Sequence, residues 1–313
     1  MTTPLEVDMT IAREVLRLRL SQMIVNEKYK ANAFKIPIHL ALGHEALAVA
    51  VDAVMEKADQ LVCTHRNIHY NLARAKALKP ILDEYFLKKE GLAGAELGSM
   101  NLANPEKQLV YTSSILGNDL PVAAGLALGQ KAQASGGLVT VVTGDGAMEE
   151  GTFYESLLFA RSNSLALLVI VENNEWSMHT KIPERRSDID VAKFSEALGV
   201  NYVRLQGNDS YLYINTLRDL RAKILTEKIP TVLEVDLVTL GGWYVEANGN
   251  PQGRFIHPHA GPLPKTELVE WPEVEHTAND PVFVLHQYFS SETLKSTAEE
   301  ILKGLKAEIG ETS

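Results

Sequence analysis

The chain has 313 residues, of which 45% are apolar and 22% charged, values typical of a folded protein with one large α/β domain or two smaller ones. Its formal charge of −10 argues against a general nucleic-acid binder, because neutralising phosphates requires a surplus of Lys and Arg. The single cysteine, Cys63, excludes an internal disulfide, and with no secretory leader and no long apolar run we expect a cytoplasmic protein without membrane contact.

The first third of the chain is predicted to be mainly helical. Apolar residues recur at helical spacing over residues 10–29, so an amphipathic helix is expected there. Residues 46–55 and 80–89 are predicted to form further helices. The polar, histidine-rich stretch 63–71 between them is expected to be a functional loop.

The middle of the chain alternates between apolar strands and helical segments. Residues 138–143 are β-branched and end at Gly144, which is typical of a strand buried on both faces in a parallel sheet. The same reasoning predicts strands over 165–171, 202–205 and 231–238, and helices over 150–161, 191–198 and 211–226. This alternation indicates an α/β fold with a doubly wound parallel sheet flanked by helices.

The chain changes character after Leu240. Residues 241–264 are rich in Gly, Pro, Asn and His and are too long for a simple connection. We therefore expect either a functional loop or a disordered one. Residues 291–309 are predicted to form a surface helix.

Polar side chains follow two of the predicted strands. Asp145 lies between two glycines after the first strand, and Asn174 follows the next. Parallel neighbours end at one edge of a sheet, where ligands bind in open α/β folds. A carboxylate, an amide oxygen and the Trp176 carbonyl would suit a magnesium ion that keeps substrate phosphates in its shell. The alternative is an ordinary tight turn, for which Gly and Asp are common residues.

Six segments of the chain, taken together, resemble a known family. They are HLALGHEA (39–46), THRNIH (64–69), GSMN (98–101), ILGNDLPVAAGLALG (115–129), GDGAMEEGTFYESLLFA (144–160) and VIVENNEWSMHT (169–180). Over residues 10–205 the sequence resembles the alpha subunits of the thiamine diphosphate-dependent decarboxylase component of 2-oxo acid dehydrogenase complexes. The resemblance implies the diphosphate-binding module of that superfamily over residues 1–270, with a C-terminal extension over 271–313.

The resemblance implies roles for the residues that match the family's cofactor motifs. Asp145 and Asn174 would hold Mg²⁺, and backbone groups of Gly144, Gly146 and Ala147 would lie near the diphosphate of thiamine diphosphate. Arg66 would bind the diphosphate directly, because a guanidinium pairs with phosphate through two hydrogen bonds, and His65 beside it belongs to the same motif.

Three further positions are assigned by the same resemblance. Backbone groups from Ser114 to Leu116 would face the aminopyrimidine, and the Leu116 side chain would hold the cofactor in its bent form. His39 matches an active-site histidine, for which proton transfer near neutral pH is the expected role. Ordinary loop packing and a structural histidine are the alternatives.

The sequence also departs from the family pattern. A histidine often present in the arginine motif is Ile68, the histidine of GSMH is Asn101, and an amide of the EALN segment is Leu158. The late loop lacks the family's segment ending in SDP and has HPHAGPLP, which slightly resembles the HGAPL element of transketolases. His259, or less favourably His257, is therefore a candidate catalytic residue, with a solvated surface loop as the alternative.

The resemblance also implies partners. A beta subunit would carry the pyrimidine-binding domain and its glutamate, in an α2β2 assembly, with a lipoyl acyltransferase as a possible further partner. The leading hypothesis is decarboxylation of a 2-oxo acid with transfer of the acyl group. A split transketolase-like or acyl- or ketol-transferring synthase that uses a ketose, and a non-catalytic homologue, are the alternatives.

Overall fold

A central parallel sheet organises the chain. The computed structural model describes residues 7–247, 250–256 and 259–311. Within these ranges a six-stranded sheet has the order β2-β1-β3-β4-β8-β7, and every neighbouring pair in it is parallel. The predicted doubly wound α/β fold is therefore confirmed.

The strands have the following bounds: β1 Gln60–Thr64, β2 Leu109–Ser113, β3 Val139–Gly144, β4 Leu167–Asn173, β5 Trp176–Ser177, β6 Thr180–Lys181, β7 Asn201–Leu205, β8 Thr231–Asp236, β9 Trp243–Ala247 and β10 Asn250–Ile256. β5 pairs with β6 and β9 with β10, each pair antiparallel and outside the main sheet.

The helices have the following bounds: α1 Met9–Lys30, α2 Glu45–Val54, α3 Ile68–Ala75, α4 Lys79–Tyr85, α5 Asp119–Gln133, α6 Gly151–Ser162, α7 Ile182–Arg185, α8 Val191–Leu198, α9 Ser210–Glu227, α10 Pro281–Val284 and α11 Ser291–Glu308. Short 3₁₀ turns occupy Pro105–Lys107, Asp145–Glu149 and Leu285–Gln287. Among the described helices, none is long and apolar enough to cross a membrane.

Each face of the sheet packs against its own apolar core. In β4, Leu167, Val169 and Val171 face the core formed with α5, α6 and α8. Leu168 and Ile170, one position over, face the larger core formed with α1, α2, α9 and α11. Successive side chains of a strand point to opposite faces, so a continuous apolar run is what burial on both faces requires.

Two local predictions were wrong. The stretch 63–71 is not a loop throughout, because β1 ends at Thr64 and α3 begins at Ile68. β1 carries only three consecutive buried residues, too few for periodicity to identify a strand. The helix predicted over 80–89 ends at Tyr85, and Leu87 has a positive φ of 56°, a conformation that a helix cannot continue.

The segment after Leu240 is neither wholly loop nor wholly without structure. Its backbone forms the antiparallel hairpin of β9 and β10, with a register shift between Asn250 and Arg254. After the hairpin, Gly261 donates its N–H to the Ile38 carbonyl at 3.2 Å. The buried Asn26 side chain fixes Leu263 by accepting from its N–H at 2.8 Å and donating to its carbonyl at 3.1 Å. These contacts bring residues 259–263 to the edge of the sheet.

Candidate functional site

A cavity lies at the carboxyl ends of β3 and β4. These strands are parallel neighbours, and their last paired residues are Gly144 and Glu172. This cavity is lined by several of the residues singled out in the sequence: His65, Arg66, Leu116, Gly144, Asp145, Gly146, Asn174, Trp176 and His259. The structure therefore brings the carboxylate and the amide from consecutive strand ends to one cavity, as the topology predicts.

The Asp145 carboxylate is almost completely buried, with 1% of the residue exposed. Burial raises the pKa of Asp145 to about 6, although the neighbouring Arg185 opposes the shift. The Arg185 guanidinium forms an ion pair with this carboxylate and also contacts Glu149. A buried carboxylate needs a cation beside it, and Arg185 occupies that position here.

The Asn174 side chain is held by two hydrogen bonds. Its Nδ2 donates to the Thr239 hydroxyl at 2.8 Å, and its Oδ1 accepts from the Trp176 N–H at 3.1 Å. A carboxamide oxygen has two lone pairs, so Oδ1 retains one for a metal ion. The Asp145 carboxylate, this oxygen and the Trp176 carbonyl are hard oxygen donors of the type that Mg²⁺ prefers, and the three residues line the same cavity.

The backbone on the strand side of the cavity is accessible. A Cβ added to Gly144 would meet no atom within 4 Å, whereas one added to Gly146 would come within 2.5 Å of the Ser177 hydroxyl oxygen. Gly146 is thus required by the close approach of β5, and at Gly144 the space next to the chain is free. Ala147 is buried and does not line the cavity.

Arg66 also lines the cavity. Its guanidinium donates to the Leu40 carbonyl, and Nη2 donates to the His259 carbonyl at 3.2 Å. Burial lowers the pKa of Arg66 to about 10, so the side chain is a cation at neutral pH. A desolvated cation facing a polar cavity is suited to bind an anionic group such as a diphosphate.

Three histidines from distant parts of the sequence meet beside Arg66. The ring centroids of His39 and His65 are 4.6 Å apart, those of His39 and His259 are 4.8 Å apart, and those of His65 and His259 are 5.2 Å apart. Burial, with Arg66 and the neighbouring rings, lowers the pKa of His39 to about 2, of His65 to about 3 and of His259 to about 4. All three imidazoles are therefore neutral at pH 7.

The histidines differ in their access to the cavity. His65 and His259 line it, whereas His39 is only 5% exposed and packs behind them. His257, the less favoured candidate, lies outside the described residues. The segment HPHAGPLP therefore brings one histidine of its pair, His259, into the structure's polar cavity.

The loop after β2 has a different arrangement from the one expected. Ser114 is exposed and does not line the cavity, whereas Ser113 before it does. Leu116 and Ile115 line the cavity with 48% and 69% of each residue exposed. A sequence motif does not distinguish a site residue from its immediate neighbour, because the geometry of the turn decides which of the two faces the cavity.

Two functional candidates, His44 and Glu172, escaped the sequence analysis. Both line the cavity, and both are almost completely buried. Glu172 accepts from His69 Nε2 at 3.1 Å and from the Tyr70 hydroxyl at 2.9 Å. Although burial by itself raises the pKa of Glu172, His44 and His69 hold it well below its usual value. A signal was available, since Glu172 immediately precedes the two asparagines and His44 stands inside HLALGHEA.

The chain is thus an α/β protein with a doubly wound sheet and a cavity at the carboxyl ends of its strands, where ligands bind in open folds of this kind. The family model described as the dehydrogenase E1 component matches residues 14–243. The match spans more than half of the sequence, and the chain belongs to this family. The resemblance to 2-oxo acid dehydrogenase alpha subunits is thereby confirmed, and the family implies thiamine diphosphate as the cofactor.

Individual relatives agree with the family match. The chain is 28% identical over 197 residues to the pyruvate dehydrogenase E1 component subunit alpha of Rickettsia bellii, covering 63% of this chain and 60% of that protein. It is 24% identical over 303 residues to the chloroplastic subunit alpha-3 of Arabidopsis thaliana, covering 95% of this chain and 66% of the relative. The chain thus spans about 60% to 66% of the length of these two relatives.

A solved structure shares the fold. Transketolase from Campylobacter jejuni superposes with a TM-score of 0.60 at 17% identity, covering 97% of this chain and 48% of that one. At this identity the likeness concerns the fold alone.

Proposed function

We propose that this chain binds thiamine diphosphate through Mg²⁺ and acts as the alpha-type subunit of an enzyme that decarboxylates a 2-oxo acid and transfers the acyl group. The observation that carries the proposal is the convergence of Asp145 and Asn174, from neighbouring strand ends, on the cavity that Arg66 also lines. A carboxylate, an amide oxygen and a guanidinium together complement a magnesium diphosphate.

Within this proposal each residue has a defined task. Asp145, the Asn174 amide oxygen and the Trp176 carbonyl bind the metal, and Arg66 binds diphosphate oxygens. We assign the backbone groups of Gly144 and Gly146 to the diphosphate side and Leu116 to the pyrimidine side, whereas Ala147 and Ser114, which do not line the cavity, keep these roles on the resemblance alone. These last assignments rest on the family motif, and for Leu116 also on its exposure to the cavity.

When bound, thiamine diphosphate would supply a nucleophilic carbon for addition to a carbonyl and a cationic ring to take up the electrons of the bond broken next to it. The chain's own contribution lies in binding, orientation and proton handling. The neutral rings of His65 and His259 line the cavity, where a ring nitrogen donates or accepts a proton. His39 orients both rings by packing behind them.

A beta-type partner completes the proposed enzyme. Relatives of the chain are named subunit alpha, and apolar side chains stand exposed at the mouth of the cavity, namely Ile115 and Leu116. Exposed apolar groups next to a ligand site are typical of an interface. We therefore propose a beta subunit that carries the pyrimidine-binding domain in an α2β2 assembly, with a lipoyl acyltransferase as acyl acceptor. The division into residues 1–270 and 271–313 and the cytoplasmic location remain predictions from the sequence.

A second candidate function is a split transketolase-like transferase acting on a ketose. The position of His259, which belongs to the segment HPHAGPLP, favours this function. Its ring centroid lies 4.8 Å from that of His39 and 5.2 Å from that of His65. Each neutral imidazole has one donor and one acceptor nitrogen, so this group of rings can form hydrogen bonds with the hydroxyl groups of a sugar as well as with a 2-oxo acid. Turnover of a panel of 2-oxo acids and ketoses separates the two functions, since decarboxylation releases CO₂ and ketol transfer does not.

Calorimetric titration tests the proposal. The full chain, purified together with a beta-type subunit, is titrated with thiamine diphosphate in the presence and absence of Mg²⁺. We expect Mg²⁺-dependent binding that Asp145→Asn abolishes and that the exposed-site control Asp188→Asn leaves unchanged. Equal binding with and without Mg²⁺, or no binding at millimolar cofactor, contradicts the proposal and favours a non-catalytic homologue. Full turnover by the chain alone would contradict the need for a partner.

A further inference from the structure

We propose that Thr239 and His44 are positioning residues that hold the Asn174 carboxamide with its oxygen facing the metal. The inference rests on the proposed function, because it concerns the metal ligand assigned there. Neither residue belongs to the donor set itself. They act through Asn174, along a series of two hydrogen bonds and one ion-pair contact that runs from Asn174, just after β4, to Glu172 within β4.

The first link fixes which end of the amide faces the cavity. Asn174 Nδ2 donates to the Thr239 hydroxyl at 2.8 Å, and Oδ1 accepts from the Trp176 N–H at 3.1 Å. Turning the amide by 180° would point Nδ2 at a backbone N–H, and two donors repel each other. The hydrogen-bond partners, rather than the shape of the side chain, thus decide the orientation.

The second link ties the Thr239 hydroxyl to His44. Its oxygen lies 2.9 Å from His44 Nε2, and both residues are 1% exposed. This oxygen also accepts from Asn174, and the tautomer of His44 decides which group donates in the bond between Thr239 and His44. His44 Nδ1 lies 3.3 Å from Glu172 Oε2, an ion-pair distance without hydrogen-bond geometry.

The third link anchors the chain of bonds. Glu172 accepts from His69 Nε2 at 3.1 Å and from the Tyr70 hydroxyl at 2.9 Å, so its carboxylate has a fixed position. Glu172 precedes Asn174 by two residues on the same strand end. The carboxylate therefore orients His44, His44 orients Thr239, and Thr239 orients the metal-binding amide. Groups behind a metal ligand commonly have this role.

The backbone around Thr239 does not depend on its side chain. Leu237 donates its N–H to the Asn173 carbonyl at 3.1 Å, and Leu240 donates to the Leu42 carbonyl at 2.8 Å. These bonds flank Thr239 on both sides and hold the segment against β4 and against the start of α2. Replacing the hydroxyl by a methyl group should therefore leave the fold intact.

The test measures the apparent Mg²⁺ dissociation constant of the full chain with its beta-type subunit at saturating thiamine diphosphate. We expect Thr239→Val to raise it about tenfold, as loss of a group behind a metal ligand does, and Thr239→Ser to restore it to within about twofold. Thr231→Val on the far end of β8 is the matched control, since its hydroxyl is equally buried and should have no effect. Melting temperatures of the cofactor-free variants show that each one folds.

His44 is tested in the same way. His44→Leu removes the hydrogen-bond partner of the Thr239 hydroxyl, whereas His44→Gln keeps a polar group there, so the leucine variant should have the weaker Mg²⁺ binding. Wild-type affinity in Thr239→Val, or equal losses in Thr239→Val and Thr231→Val, overturns the inference and leaves the proposed function standing. Absence of Mg²⁺-dependent cofactor binding in the wild type overturns the proposed function and, with it, the role given to Asn174.

Discussion

Arg185 forms an ion pair with Asp145, the same carboxylate that we assign to the metal. The guanidinium side chain is 10% exposed and the carboxylate side chain 1% exposed, and Arg185 also contacts Glu149. An arginine and a metal ion compete for one carboxylate, so loading of the cofactor requires Arg185 to move or to share its partner.

Replacement of Arg185 tests this competition. In Arg185→Gln the buried Asp145 loses its cation, and we expect the cofactor-free chain to lose about 1–2 kcal/mol of unfolding free energy. Mg²⁺ with thiamine diphosphate should restore the difference, so the melting temperature should rise further on loading in the variant than in the wild type. Arg186→Gln is the control, because it removes a neighbouring cation whose ion pair is with Glu149. An equal rise in melting temperature on loading in the wild type and both variants would contradict the competition.

The Arg19 guanidinium supports a second prediction. It donates to Glu45 at 2.7 and 3.1 Å and to Asp280 at 2.9 and 3.2 Å, and all three side chains are fully buried. Arg19→Met leaves two buried carboxylates without a cation and should lower the unfolding free energy by about 3–5 kcal/mol. Arg13→Met removes an exposed pair with Glu300 and should cost less than about 1 kcal/mol in the same denaturant titration. Similar losses in both variants would be inconsistent with this account.

His259 supports a prediction about turnover. Its ring is neutral at pH 7, because burial and Arg66 lower its pKa to about 4. If it moves a proton in the reaction, His259→Gln should reduce kcat about 100-fold and leave the dissociation constant of thiamine diphosphate nearly unchanged. His276→Gln changes an exposed histidine and should alter neither quantity. A loss of cofactor affinity in proportion to kcat would instead assign His259 to binding.

Asp119 supports a prediction about pH. Burial raises its pKa to about 6, and within the described residues neither carboxylate oxygen has a hydrogen-bond partner of good geometry. The folded state then binds the proton more tightly than the unfolded state, whose aspartate pKa is about 3.9. Stability from this group is present at about pH 4 and is lost as the pH rises through 6.

The corresponding variant is Asp119→Asn. It should raise the unfolding free energy at pH 8 by about 1–2 kcal/mol and have little effect at pH 4, because the wild-type group is protonated there. Asp188→Asn, at an exposed position, should show no such pH dependence. A gain that is equal at both pH values would exclude ionisation of Asp119 as the cause.

The sheet and its ligand edge could be predicted because they depend on local sequence. β3 and β4 are continuous apolar runs, and parallel pairing alone places Asp145 and Asn174 at one edge. β1 and α5 were not predicted, because their sequence patterns are weak. β1 is short, and α5 contains Pro121, Gly125 and Gly129, which weaken its helical pattern.

The remaining parts of the site depend on contacts across long stretches of sequence. His44 meets Thr239 across 195 positions, and Arg19 meets Asp280 across 261. Periodicity and turn chemistry describe neighbouring residues only, so they contain no information about such pairs. The choice of Ser113 over Ser114 at the cavity depends on a turn that sequence patterns resolve to within one or two residues at best.

The pairing of Gly144 with Glu172 in the sheet shows that the candidate site has two parts, which are held in place in different ways. Asp145 and Asn174, which we assign to the metal, directly follow β3 and β4, so the pairing of these two strands fixes their spacing. His259 comes instead from the chain that follows the β9–β10 hairpin, outside the main sheet. On the proposed function, exchange of that segment would alter the ring beside the carbonyl substrate and, because the His259 carbonyl accepts from Arg66, the setting of the diphosphate-binding arginine as well.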